Sequence, residues 1–301
     1  MEISNFCVFV LMLFFKLVGV SSPCPAECLT CDLNKQGEII VLTCTNVQIQ
    51  TLPNTVEDLQ AKDLNIILPF GRFDMYILNG KSRLQRLEIN NYHITSLYGE
   101  CFKGCPGLLT LDLSNNEIMI IEEVNFAGLG NLNILNLNQN NVTTIGNFTF
   151  RNLPALKILS IVGNKLTSIL KDDFTGLVKI AKIDLQHNII KHINTEAFHS
   201  LQTLENLNLQ HNNLTGIAAG VFSNLTSLRE LNLQYNHIII LDPTSMVGTR
   251  LTKLDLWQNQ ISEVPTEFLG SIGHLGLTVN LAKNNITNIR SLAFNSVVLG
   301  T

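Results

Sequence analysis

The side chains best suited to recognition chemistry recur at a fixed spacing in this chain. His187, His211 and Tyr235 lie 24 residues apart, and the chain's single tryptophan, Trp257, follows them. Such rings combine apolar area with a hydrogen-bonding edge, and Tyr and Trp dominate many protein-binding surfaces. Polar residues stand beside them in the sequence: Gln186, Gln210, Gln234, Asp184 and Asp255. Together these residues predict a ligand-binding surface, since an ordered spacing brings them to one neighbourhood.

Other interpretations of the same residues remain open at this level. Polar ladders also fill exposed positions without binding anything. A metal site at His187 and His211 lacks a third ligand, so no metal is predicted. The two histidines could make binding depend on pH near 6. The chain has no G-x-S-x-G, H-E-x-x-H, P-loop or dinucleotide-binding motif, and we therefore predict no enzyme activity and no cofactor.

A 24-residue repeat must position these side chains. Phenylalanine marks it, and Met246 takes the next position before the series drifts to Phe268 and Phe294. The regular members are Phe102, Phe126, Phe150, Phe174, Phe198 and Phe222. A fixed period of this length is typical of solenoid architectures, in which each repeat contacts only its neighbours.

Leucines and asparagines follow the same period and define the motif L-x-x-L-x-L-x-x-N-x-[ILV]. The asparagine position is occupied by Asn116, Asn140, Asn164, Asn188, Asn212, Asn236, Asn259 and Asn284. The motif resembles the leucine-rich repeat. Alternation in L-x-L suits a short strand with one buried face. The asparagine amide can satisfy backbone groups where the chain turns inward, so we expect a structural asparagine ladder.

The predicted fold class is an α/β solenoid, a leucine-rich-repeat horseshoe. A parallel β-sheet should line its concave face, and the convex side should be irregular, 3-10 or short helical. We expect about nine to ten repeats over residues 53–301, the last one incomplete. The proposed ligand-binding residues fall on the concave face in this arrangement.

The N-terminal region predicts secretion. The apolar run from Phe6 to Val20 has signal-peptide length although Lys16 interrupts it, so residues 1–22 are predicted to be a cleaved signal peptide. An uncleaved anchor is disfavoured because the run is too short to span a bilayer. Residues 23–52 resemble the cysteine-rich N-terminal cap of extracellular leucine-rich-repeat proteins. That resemblance implies the disulfides Cys24–Cys31 and Cys28–Cys44; a zinc site at these thiols is the alternative.

Two further features fit an oxidising, glycosylating compartment. A bridge between Cys101 and Cys105 is geometrically feasible and favoured over two buried thiols. Five N-x-[ST] sequons predict glycosylation, and three of them share one position of the repeat. Their asparagines are Asn141, Asn147, Asn213, Asn224 and Asn285.

Composition and resemblance together predict function. The net charge is −4 with 15% charged residues, so the basic stripe expected of a nucleic-acid-binding protein is missing. The cap, repeats and sequons resemble Toll-like receptor ectodomains, Slit-type guidance proteins, small leucine-rich proteoglycans and variable lymphocyte receptors. They imply a secreted or cell-surface recognition module, an innate-immune or cell-surface receptor ectodomain that binds a protein, microbial or glycan ligand. A structural adhesion or matrix protein without a signalling role is the alternative.

The last segment carries its own expectations. No run of 18 apolar residues follows the signal, so we expect no membrane span in this chain. The sequence stops in the middle of a repeat at Thr301. We expect either a fragment of a longer receptor or a dimer formed through the uncapped end.

Overall fold

The computed structural model describes residues 82–266, 268–272, 276–290 and 293, except for the side chain of Ser271, and the backbone of four earlier strands. The predicted signal peptide, Cys24 and Phe294 lie outside the described residues. Cys28, Cys31 and Cys44 are described in their backbone only. Strand register places Cys28 opposite Cys44, the pair that the family resemblance implies. The cap disulfides stay a prediction.

A twelve-stranded sheet runs through the described part of the chain. Its strands, numbered in chain order, are β1 (Cys28–Leu33), β2 (Ile39–Cys44), β3 (Asp58–Lys62), β5 (Arg86–Asn90), β7 (Thr110–Asp112), β9 (Ile134–Asn136), β11 (Ile158–Ser160), β13 (Lys182–Asp184), β15 (Asn206–Asn208), β17 (Glu230–Asn232), β19 (Lys253–Asp255) and β21 (Thr278–Asn280). The first pair is antiparallel, and every later pair is parallel. The predicted parallel sheet of a leucine-rich-repeat solenoid is therefore confirmed.

Register within the sheet follows the repeat. Leu135 lies opposite Leu111 on one side and Leu159 on the other, and the pattern continues to Leu231 and Leu254. These side chains are almost fully buried. The residues on either side of each leucine point away from the core, because successive side chains of a strand alternate between faces. One face of the sheet is thus apolar and covered, and the other presents polar side chains.

The opposite side of each coil is mostly irregular. Short strands lie there: β4 (Arg72–Asp74), β6 (Ser96–Tyr98), β8 (Ile120–Ile121), β10 (Thr144–Ile145), β12 (Ser168–Ile169), β14 (His192–Ile193), β16 (Gly216–Ile217), β18 (Ile240–Leu241), β20 (Glu263–Val264) and β22 (Asn288–Ile289). Two 3-10 helices span Glu123–Phe126 and Gly270–Ile272. Turns and 3-10 geometry, rather than α-helices, form this side within the described residues. None of the helices described has the length and apolar character needed to cross a bilayer.

A column of phenylalanine rings fills the core between the sheet and the return side. Consecutive rings from Phe126 to Phe222 stack with centroid separations between 5.7 and 6.3 Å. Met246 takes the next position and is also fully buried. Each ring covers the apolar surface of its neighbour, so every repeat depends on the next one for burial.

The asparagines of the motif join successive repeats by hydrogen bonds. Asn188 is representative: its Nδ2 donates to the carbonyls of Ile161 (2.8 Å) and Leu185 (3.0 Å). Its Oδ1 accepts a bond from the backbone N–H of Leu166 at 3.0 Å. The same donors and acceptors recur at other members of the ladder, from Asn116 to Asn284. Buried backbone groups that no strand can satisfy find their partners here.

Cys101 and Cys105 flank Phe102 and are fully buried. Cys101 Sγ lies 3.6 Å from the carbonyl oxygen of Asn125. The bridge between them stays a prediction, because the redox state of the compartment decides whether two such neighbouring thiols are oxidised.

The sequon asparagines all lie at the surface. Asn147, Asn224 and Asn285 are exposed, and Asn141 and Asn213 are partly exposed. Attachment of a glycan at these positions is therefore sterically open, and their occupancy stays a prediction.

Candidate functional site

The predicted recognition side chains meet in one continuous row, which we call the aromatic strip: His187, His211, Tyr235 and Trp257. The rings of His187 and His211 stack at 4.3 Å with an interplanar angle of 12°. His211 stacks on Tyr235 at 4.0 Å and 14°. Tyr235 meets Trp257 edge-on, at 4.7 Å and 79°. His187 is exposed, and His211, Tyr235 and Trp257 are partly exposed, so the strip is accessible from solvent.

Backbone conformation explains why three of these rings are parallel. His187, His211 and Tyr235 have left-handed φ values of 55°, 51° and 52°. Each backbone N–H donates to a carbonyl of the following repeat, as His187 does to Gln210 at 3.1 Å. Identical dihedrals at equivalent positions of stacked repeats point the side chains in one direction. Trp257 stands one repeat position earlier, in the column of Gln234, and therefore approaches from a different angle.

A polar ladder runs beside the aromatic strip and consists of Asp184, Gln186, Gln210 and Asn232. Gln186 Nε2 donates to Asp184 Oδ2 at 3.3 Å, and Gln210 Nε2 makes a short bond to Gln186 Oε1. Asn232 Nδ2 donates to Gln210 Oε1 at 2.9 Å. These bonds hold flexible amides in one arrangement before any ligand arrives.

Strand residues between the leucines fix the chain that carries the strip. Asp255 Oδ1 accepts from the backbone N–H of Trp257 at 3.1 Å. Asn208 and Asn232 make the equivalent turn bonds to Gln210 and Gln234, at 3.2 and 3.1 Å. Asp255, which was predicted to contact ligand, therefore also shapes the turn. Asp255 is 8% exposed, so its first role is to orient Trp257.

The aromatic strip continues past His187 in an unexpected way. Gly163 occupies the next position of its column, with a φ of 66°. A Cβ there would lie 2.4 Å from Gln139 Nε2, so the amide of Gln139 covers the glycine. A planar amide thus takes the place of a ring at this end.

Charged side chains of both signs lie on the face of the sheet that carries the site. Partial burial, followed by the charge of His187, lowers the pKa of His211. A shallow depression of about 200 Å³ lies on the same face of the sheet, lined by Lys182, Lys253, Glu230, Asp255 and their neighbours. Within the described residues, no three His, Cys, Asp or Glu side chains come together in a way that could hold a metal ion.

The structure brings most of the predicted site residues together. All four rings of the aromatic strip touch in sequence, and Gln186 and Gln210 are hydrogen-bonded. Gln234 joins through its backbone, whose carbonyl accepts from His211 N–H at 3.0 Å. Asn232, Gln139 and Gly163 were not among the predicted site residues. The 24-residue spacing could have indicated them, because Asn232 follows Asn208 by one repeat, and Gly163 and Gln139 precede His187 by one and two repeats.

The leucine-rich repeat profile matches residues 82–142, 130–190 and 179–238. The matched segments cover more than half of the chain, which therefore belongs to the leucine-rich repeat family. A search of curated proteins found no significant match.

Three solved structures share the architecture. The TLR13–ssRNA13 complex superposes with a TM-score of 0.71 at 23% identity, covering 86% of this chain and 39% of that chain. The Drosophila Toll–Spätzle complex superposes with a TM-score of 0.62 at 23% identity, covering 77% of this chain and 35% of that chain. A leucine-rich-repeat protein of Leptospira interrogans superposes with a TM-score of 0.56 at 22% identity, covering 78% of this chain and 66% of that chain. At these identities the likeness concerns the fold, and the chain spans well under half the length of the two Toll-type proteins.

Proposed function

We propose that this protein is a non-enzymatic extracellular recognition module, part of a cell-surface or innate-immune receptor ectodomain. It binds a protein ligand, including one of microbial origin, through the aromatic strip and polar ladder. The observation that carries the proposal is the unbroken contact row from His187 to Trp257. The receptor role and the extracellular location draw support from the family and from the likeness to Toll-type folds.

Pre-organisation supports binding at the aromatic strip. Each ring is held by its neighbours, and the polar ladder is held by side-chain hydrogen bonds. A ligand that docks here immobilises few additional rotamers, so less conformational entropy opposes association. Tyrosine and tryptophan at the centre of such a surface are the side chains most often found to dominate binding free energy.

Charge favours a protein over a polyanion. The aromatic strip and polar ladder contain Asp184 and neither lysine nor arginine, and Asp255 accepts a bond from the backbone of Trp257. Lys182 and Lys253 line the neighbouring depression together with Glu230 and Asp255. RNA binding depends on cations that neutralise phosphates. The TLR13 structure is a complex with RNA and the Toll structure is a complex with the protein Spätzle. On this surface we expect the second kind of partner.

The test is a binding screen followed by matched variants. The secreted protein would be presented to an array of purified extracellular and microbial proteins, and to a single-stranded RNA. Hits would be compared among the native protein, Tyr235→Ala, Trp257→Ala and the control Val178→Ala, whose side chain is 58% exposed elsewhere on the surface. We expect about 30-fold weaker binding for either strip variant, and no change for the control. Unchanged affinity in both strip variants, or salt-sensitive RNA binding alone, would contradict the proposal.

A further inference from the structure

A second column of buried polar residues lies on the return side, directly before the stacked phenylalanines. Asn125, Thr149 and Asp173 occupy it, and all are at most 2% exposed. Asn125 Nδ2 donates to the carbonyl of Leu97 at 3.1 Å. Thr149 Oγ1 donates to the carbonyl of Ile121 at 3.2 Å. In both cases the acceptor stands 28 residues earlier, so in these two repeats the side chain donates a hydrogen bond to the preceding repeat. In later repeats the position holds Ala197, Val221 and Ser245, and the buried Oγ of Ser245 has no hydrogen-bond partner.

Asp173 reproduces only half of that arrangement. Its Oδ2 accepts from the backbone N–H of Leu170 at 2.7 Å, just as Asn125 Oδ1 accepts from Glu122 at 2.8 Å. Its Oδ1 is buried and has no hydrogen-bond partner. By the same 28-residue spacing, the corresponding acceptor for Asp173 is the carbonyl of Ile145. An ionised carboxylate has no hydrogen to donate, and leaving a buried polar atom unpaired is costly.

We propose that Asp173 carries a proton in the folded protein and donates it from Oδ1 to the carbonyl of Ile145. This proton completes the hydrogen bonding on the return side of the repeat, and the solenoid is therefore more stable in mildly acidic than in neutral solution.

The surrounding charges are consistent with this role. Burial raises the pKa of Asp173 to about 6; the backbone bond from Leu170 opposes the shift, and the charge of Asp172 adds to it. The cations of adjacent segments are engaged with other acids. Arg151 lies 3.9 Å from Glu123 in the preceding repeat, and Lys171 lies 2.5 Å from Glu196 in the following one.

The direction of the pH effect follows from linkage. A carboxyl group with a pKa near 3.8 when unfolded and near 6 when folded binds more protons in the folded state between those values. Its contribution to stability is complete below about pH 4 and is lost as pH rises through 6. The unfolding equilibrium constant should therefore rise with pH, by roughly tenfold to a hundredfold from this group alone.

Two variants mimic the neighbours of Asp173. Asp173→Asn should place an amide as Asn125 does, with Oδ1 on Leu170 and Nδ2 toward Ile145. Asp173→Thr should donate as Thr149 does. Asp172→Asn is the matched control, because it removes the adjacent charge and leaves Asp173 in place. Unfolding by denaturant would be measured at pH 5.0 and 7.5 for the full chain and each variant.

We expect Asp173→Asn to unfold with an equilibrium constant at least tenfold below that of the native protein at pH 7.5, with a much smaller advantage at pH 5.0. Asp173→Thr should lose the same pH dependence even if its stability differs. Groups such as His211 titrate equally in all proteins and cancel in the comparison. The proposal is overturned if both variants keep the native pH dependence, or if Asp173→Asn gains nothing at pH 7.5.

Discussion

The imidazole of His211 lies 4.0 Å from the phenol ring of Tyr235, and the planes of the two rings differ by 14°. On its other side His211 faces the ring of His187 at 4.3 Å. Partial burial and the nearby charge of His187 lower the pKa of His211 below its usual 6.5. The stack therefore favours the neutral form of His211. The corresponding stability is complete above about pH 6.5 and is lost as pH falls through the lowered pKa.

Acidification should weaken binding at the aromatic strip. Between pH 7.5 and 5.5 we expect the affinity for a strip-bound protein to fall a few-fold, because protonation of His211 places a charge in the stack that partial burial and the charge of His187 disfavour. His187→Gln removes the charge of His187 from the stack and should reduce the loss. Affinities measured at both pH values would decide. If the native protein and His187→Gln respond identically to pH, the stack is not the cause.

Removing one amide from the asparagine ladder should destabilise the solenoid strongly. Asn188→Ala loses the bonds to Ile161 and Leu185 and leaves the N–H of Leu166 unpaired. We expect a loss of about 3 kcal/mol or more in the free energy of unfolding, because several buried backbone groups lose their partner at once. Gln202→Ala removes an exposed amide and should change stability by less than about 0.5 kcal/mol. Equal effects in chemical denaturation would refute the structural role.

Gly176 is required by both conformation and space. Its φ is +101°, and an added Cβ would lie 2.5 Å from Arg151 Cα and 2.9 Å from the carbonyl oxygen of Phe150. Gly176→Ala should therefore lower the free energy of unfolding by about 2–4 kcal/mol. Gly130→Ala is the matched control, since open space surrounds the added methyl group. A melting temperature of Gly176→Ala as high as that of the control would contradict this reading.

The phenylalanine column tests how far one repeat supports the next. Phe174 is fully buried between Phe150 and Phe198, and Phe174→Ala should cost about 3–5 kcal/mol. Phe174→Met should cost less, about 1.5 kcal/mol, because Met246 occupies the equivalent position and is fully buried. Denaturation midpoints would rank the two variants. An equal loss for both would show that the stacked ring itself, rather than the volume it fills, is required.

Much of the fold was predictable because the period imposes it. Leu111 and Leu135 must lie in the same buried layer if the coils stack, and their 24-residue spacing places them opposite each other in the sheet. The asparagine positions follow for the same reason, since every turn inward exposes the same backbone groups. The N-terminal cap, the signal peptide and the glycans stay predictions, as does the bridge between Cys101 and Cys105.

The sequence predicted which residues of the site lie near one another, but not how their side chains pack. Spacing placed His187, His211 and Tyr235 side by side, yet their face-to-face stacking depends on left-handed backbone dihedrals that no single residue type requires. The edge-on approach of Trp257 and the cover of Gln139 over Gly163 depend on side-chain torsions. Such details are set by contacts between repeats, whereas the 24-residue period indicates only which residues are neighbours.

The sequence by itself determined that this protein is a solenoid of leucine-rich repeats, because the burial of one repeat against the next demands the same residues at the same interval. Only the tertiary structure decided which polar atoms are satisfied. Asn125 and Asp173 occupy equivalent positions, yet the amide both accepts and donates a bond, whereas Asp173 accepts through Oδ2 and its Oδ1 accepts none. That difference depends on the distance and direction of atoms in the neighbouring coil, which a one-dimensional pattern does not specify.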